Sequence, residues 1–212
     1  MKKLLAGLSL LALSVPLTGW TAPVDDAVAE LQREWEVIRY QTPASERSRR
    51  FEVLAEKARQ VSATHAGRSE PLVWEGIIVS SLAGEKGGLG ALSLAKQAKA
   101  LYEQAIGING KALDGSAYNS LGVLYYKVPG WPLAFGDKAK AEELLKKALE
   151  INPSGIDSNY FYGEFLIENK RVAEGIAYLE RALQAPPRSG RHIADSGRRE
   201  ETRALLAKTT GK

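Results

Sequence analysis

The side chains able to do chemistry are few, and their spacing suits none of the common reactions. The 212-residue chain holds two histidines, His65 and His192, and no cysteine. A zinc site takes three or four nitrogen, sulfur or carboxylate ligands at short turn or helix spacings, and neither histidine has a companion at such a spacing. Asp195 and Ser196 stand beside His192, yet no Gly-x-Ser-x-Gly elbow presents a hydroxyl to it. Gly84-Glu85-Lys86-Gly87-Gly88 is glycine-rich but lacks the Gly-Lys-Ser/Thr ending and the preceding strand of a phosphate loop. The acidic residues fall at helical spacing from lysines, where such pairs decorate solvated faces. No catalytic, metal-binding or cofactor-binding set emerges, so the sequence is read as that of a non-enzymatic protein.

The elements that would position any functional residue are helices. Val24, Ala27, Val28, Leu31, Trp35 and Ile38 recur at steps of three and four, which gives one apolar helical face over residues 24–40. Thr42-Pro43 reads as an N-cap with proline at the first helical position of a second helix, running to about His65 with Phe51, Leu54, Ala55, Ala58 and Val61 on one side. Beyond Pro71 a register appears. Ala141, Leu145, Ala148 and Pro153 recur thirty-four residues later as Gly175, Leu179, Ala182 and Pro187. Small residues let two helices approach, large ones fill the holes between neighbours, and proline stops the second helix. The preceding helix of each copy carries Tyr118, Leu121, Gly122 and Tyr125, then Tyr162, Gly163 and Leu166. A degraded earlier copy has Trp74 and Ile77, then Ala98, Tyr102 and Ala105, with Gly110 in the place of the proline.

These offsets resemble the tetratricopeptide repeat family. The resemblance implies an all-α fold of antiparallel helix pairs stacked as a right-handed solenoid. Residues 71–187 would form the repeats, at about 71–110, 114–153 and 155–187, with residues 23–70 as N-terminal capping helices and 188–212 as a C-terminal capping helix and tail. The caps would cover the apolar ends of the stack, and the charges of the last helix would form its solvated outer face. Two copies depart from the family spacing between their helices A and B. One gains about eight residues with Gly84, Gly87, Gly88 and Gly90; the other gains about seven with Pro129, Gly130, Trp131, Pro132, Phe135 and Gly136. Both insertions are expected as loops on one edge, either binding elements or covers packed on the stack. Asp137 would cap the helix after the second.

In this family ligands lie along the concave face built from helix A. Carried onto this chain, that face would hold Glu75, Val79, Asn119, Val123, Tyr126, Tyr160, Glu164 and Ile167. Asn119 and Lys127 resemble part of the carboxylate-gripping set of peptide-binding members. The candidate contacts are Asn119, Tyr126, Lys127, Trp131, Phe135, Tyr160 and Glu164. The stretch from Leu124 to Pro153 also resembles the T-component family of TRAP-type transporters, exported repeat proteins, although the cysteine needed for that family's lipid anchor is missing. A protein or peptide partner is expected, or a small organic solute if Tyr126, Trp131, Phe135 and Tyr160 close an apolar pocket.

Met1-Lys2-Lys3, the apolar run of residues 4–15 and Pro16 read as a secretory signal peptide over residues 1–22, cut after Thr21 or Ala22. The run is shorter than the roughly 20 residues of a membrane-spanning helix. A periplasmic location is therefore expected, or tethering by the same segment if it is not cleaved. Setting Lys2 and Lys3 aside leaves a net charge of about +2, too balanced for a nucleic-acid partner. The register itself can be tested. Ala148→Trp should overpack the contact between helices A and B and lower stability by about 1–3 kcal/mol; an unchanged melting temperature would mean that the register is misplaced.

Overall fold

The computed structural model describes residues 23–211, so the expected signal peptide lies outside the described residues. They form helices α1 (Val24–Gln41), α2 (Ala44–Thr64), α3 (Ser69–Lys86), α4 (Gly88–Asn109), α5 (Ala112–Lys127), α6 (Lys138–Ile151), α7 (Ile156–Glu168), α8 (Val172–Gln184) and α9 (His192–Thr210). Successive helices pair antiparallel, as the repeat register predicts. The second helix starts at Ala44, with no side-chain cap from Thr42, whose hydroxyl instead donates to the Val37 carbonyl at 3.2 Å.

The stack has two layers. The odd-numbered helices line the inside, each touching the next, and α2, α4, α6 and α8 pack outside them. Small residues set the distance between layers. A Cβ added at Gly122 would lie 2.8 Å from Leu145 Cγ, and one at Gly163 would lie 3.0 Å from Leu179 Cδ2. Gly76 holds the same place in the first copy, where a Cβ would meet Tyr102 Cε1 at 2.5 Å. Ala98, Ala105, Ala141 and Ala148 are fully buried against these contacts.

Gly76 corrects the sequence register. Aligning the first copy on Trp74 and Ile77 is off by two positions, because the small residue that admits helix B is Gly76. Glu75 and Val79 therefore turn into the stack, at 5% and 2% exposure, and Ile77, Ser80 and Ser81 take the concave positions expected of them. The first insertion is also not a loop. Its residues lengthen α3 to 18 and α4 to 22 residues, and Gly87 alone separates the two helices. Gly87 and Gly88 carry the turn at φ +61° and +59°, a region open to glycine at little steric cost, whereas Gly84 and Gly90 sit inside helices. The second insertion is a true loop, with Asp137 accepting hydrogen bonds from the backbone N–H groups of Ala139 and Lys140 at its end.

The two capping regions do not sit apart at opposite ends. Helix α9 packs on α7 and α8 and also reaches α1, so α1, α3, α5, α7 and α9 close into a ring. Gly197 makes the approach possible, since a Cβ there would lie 2.3 Å from Tyr40 Cδ1. Glu36, 2% exposed, accepts from the Ala194 N–H at 3.1 Å, and Arg39 reaches Glu201 at 2.7 Å. The expectation that the charges of α9 form a solvated face fails here, because Asp195 and Arg198 are buried at 2% and 8% exposure. Gly197→Leu should force α9 away from Tyr40 and cost about 1–3 kcal/mol in thermal unfolding. Scattering from the variant should show a more open particle; a melting curve and profile like those of the native protein would mean the contact is not made.

Candidate functional site

Closure of the ring surrounds a half-open cavity of about 1170 Å³. Trp35 and Tyr40 of α1, Trp74 and Ile77 of α3, Leu92 of α4, Val123 of α5 and Tyr160 and Phe161 of α7 give it a mainly apolar wall. The rings support one another, with Trp35 edge-on to Tyr40 at 5.8 Å and to Trp74 at 5.9 Å. Trp35 Nε1 donates to Ser81 Oγ at 2.9 Å. A kink within the first turn of α5 shapes the floor. Leu113 and Asp114 take left-handed φ values of +49° and +56°, a conformation costing about 1–2 kcal/mol for each non-glycine residue.

The α7 and α9 side carries a charged network. Arg198 donates to Asp157 at 2.8 Å and to Glu201 at 2.6 Å, while Arg188 donates to Asp157 and to Asp195 at 2.7 Å each. The Arg198 guanidinium lies over the rings of Tyr160 and Phe161, at 4.5 and 4.4 Å. Burial works against the Asp157 carboxylate, but Arg198 and Arg188 outweigh it and hold its pKa well below the ordinary 3.8. Burial is also the main reason that the hydroxyls of Tyr40 and Tyr160 are pushed up.

Between α5 and α7 Lys127 pairs with Glu164 at 3.1 Å and with Glu168. Tyr126 donates to Glu164 Oε2 at 2.5 Å, and burial, followed by the Glu164 charge, raises its pKa. Asn119 is 6% exposed, and its Oδ1 has no hydrogen-bond partner among the described residues.

The structure thus divides the sequence candidates. Asn119, Lys127, Tyr160 and Glu164 share the cavity wall, with Tyr126 behind Glu164. Trp131 and Phe135 are not part of it. Trp131 is 90% exposed on the loop between α5 and α6, beside Leu133 at 73%. Phe135 packs edge-on against Tyr125 at 5.5 Å, with Lys99 Nζ over its ring at 5.8 Å. The four-aromatic pocket that would favour a small solute is therefore not formed, and Ile167 packs into a neighbouring apolar cluster instead of the concave face. Lys127 is already neutralised, so the resemblance to a carboxylate-gripping pair does not extend to its ammonium group. Sequence reading missed the α9 contribution. Its signal was present, since Arg191, Ala194, Arg198 and Glu201 follow steps of three, four and three along one helix face. Among the described residues no group of three or more acidic or histidine side chains is placed to hold a metal ion, and no helix is long and apolar enough to cross a membrane.

The network predicts an acid response. The Asp157 pKa is lowered by folding, so its stabilisation is present above the ordinary carboxylate value and lost as pH falls toward the folded value. Thermal stability should hold from pH 7 to about pH 5 and fall below about pH 4. Asp157→Asn should melt lower at pH 7 and lose part of the acid sensitivity. An identical acid profile in the variant would contradict the assignment.

Comparison with known proteins agrees with this architecture. Residues 133–196 match the family model described as tetratricopeptide repeat. The fold is similar to the crystal structure of a thermophilic TPR protein from Thermus thermophilus, with a TM-score of 0.59 and 14% identity over 90% of this chain and 100% of that one. No curated protein matches the sequence.

Proposed function

We propose that this chain, which carries tetratricopeptide repeats, is an exported, non-enzymatic binding module. The ring cavity receives the inserted part of a partner, and the loop between α5 and α6 offers a second contact. The observation behind this reading is the return of α9 to α1, which turns an inner face into a cavity of about 1170 Å³. Mainly apolar cavities of roughly this size, with a few placed polar groups, bury most of a bound ligand. Repeat proteins of this family are in general non-enzymatic scaffolds, which favours a protein or peptide partner. Trp131 and Leu133 support a protein contact, since one short loop exposes two large apolar side chains, at 90% and 73%, to water. Export to the periplasm rests on the leader-like residues 1–22.

The closure of the ring also favours a second reading. A closed ring suits a compact molecule better than a long chain running through an open groove. A small organic solute, held by an accessory protein similar to the T-component family, fits that constraint.

Two variants separate the cavity from the loop. Gly84 lies at the cavity wall, and a Cβ there would meet nothing within 4 Å. Gly84→Trp should therefore leave the melting temperature unchanged or slightly raised, while weakening binding of the neutral fluorescent probe N-phenyl-1-naphthylamine about tenfold. Trp131→Ala combined with Leu133→Ala should leave probe binding intact and reduce recovery of a protein partner from periplasmic extract. Equal probe binding by Gly84→Trp and the native protein would remove the cavity from the reading.

A further inference from the structure

Four arginines line the α1, α7 and α9 side of the cavity, and three are closely held. Arg39 has Glu201 at 2.7 Å, Arg188 has Asp157 and Asp195 at 2.7 Å, and Arg198 has Asp157 at 2.8 Å and Glu201 at 2.6 Å. Arg191 is different. Its one side-chain hydrogen bond among the described residues runs from Nε to Glu36 Oε2 at 3.5 Å, and that oxygen already accepts the Ala194 N–H at 3.1 Å. The four remaining guanidinium hydrogens have no acceptor there, although the side chain is only 12% exposed. Burial, reinforced by the Arg188 charge, lowers the Arg191 pKa, as expected of an under-compensated buried cation.

The Trp74 ring belongs to the same place. Arg191 lies over the ring of Trp74 at 5.0 Å. Trp74 is 5% exposed, and its Nε1–H is buried with no acceptor among the described residues. The guanidinium can only donate, so a bound molecule that completes it must bring acceptors. A planar guanidinium with paired N–H groups free matches a carboxylate best. The rest of the cavity limits the ligand further. Trp35, Ile77 and Tyr160 offer apolar surface for its body, while Glu85, Asp114 and Glu164 would repel a second anionic group.

We propose that the cavity recognises a single carboxylate carried on an apolar body, with Arg191 as its anchor. This rests on the cavity being the binding site. The carboxylate could come from a free amphipathic acid or from the end of a peptide chain, and the two are separable.

The experiment is displacement of N-phenyl-1-naphthylamine from the purified protein by matched pairs. One pair is decanoate and decanol; the other is an apolar hexapeptide with a free and with an amidated C-terminus. The charged member of at least one pair should bind about tenfold or more tightly than its neutral match. Arg191→Gln should abolish that preference without weakening the neutral member, and Arg191→Lys should restore part of it. The pair that shows the preference names the source of the carboxylate. The comparison within the native protein needs no variant, so a poorly folded Arg191→Gln would not obscure it. Equal displacement by charged and neutral members, with the probe still bound in the cavity, overturns the anchor and leaves the cavity reading standing. Failure of the native protein to bind the probe at all overturns both.

Discussion

The contact between α9 and α1 is the constraint on which the site depends. Without it the inner helices would form an open groove, with α1 and α9 at its two ends. The contact is tight because residue 197 has no side chain and Tyr40 fills the space a Cβ would need. It is specific because Glu36 meets the N-terminal turn of α9 through the Ala194 N–H, and because Arg39 and Glu201 pair across the same seam. A part-exposed ion pair such as Arg39–Glu201 adds little net stability by itself, since solvent screens the attraction. Its value here is geometric: removing one member leaves a charge without its partner, so the seam has one favourable alignment.

The repeat packing supplies the rigid frame that brings the ends together. Gly76, Gly122 and Gly163 each admit a large side chain of the paired outer helix, namely Tyr102, Leu145 and Leu179. The layers therefore stack at nearly fixed spacing, and small per-repeat rotations accumulate along the array. Lengthening of α3 and α4 enlarges one side of the ring, where Gly84, Leu92 and Ala95 extend the cavity wall. The aromatic side chains of α1 and α3, packed on one another, and those of α7 then line a space that none of them fills.

Much of this was legible in the residues. The period linking Ala141 to Gly175 and Leu145 to Leu179 specified the helix pairs, because spacing of small and large residues is what interlayer packing requires. The end of α1 fell within one residue of its expected place, and Asp137 capped α6 as its position implied. Closure of the ring was not legible, since it joins Tyr40 and Gly197 across most of the chain and periodicity carries no long-range signal. The first insertion misled for a related reason. Glycine marks turns in a sequence, but Gly84 and Gly90 lie among good helix formers, and the helices run through them. Arg198 looked like surface charge because its partner Asp157 lies on α7, 41 residues away in sequence. Asn119, Tyr160 and Glu164 fall on the inner wall because concave positions follow from register alone, whereas the placement of Trp131 and Phe135 depended on loop geometry.

Ring closure can be measured directly, because the chain contains no cysteine. A Cβ at Gly197 would lie 2.6 Å from Tyr40 Cγ, which brings the two Cβ positions within the separation a disulfide spans. The Tyr40→Cys, Gly197→Cys double variant should therefore form an intramolecular cross-link on mild oxidation, nearly completely, and should still bind the neutral probe when cross-linked. A variant that stays reduced while remaining helical and folded would show that α9 does not meet α1, and the ring cavity would have to be abandoned.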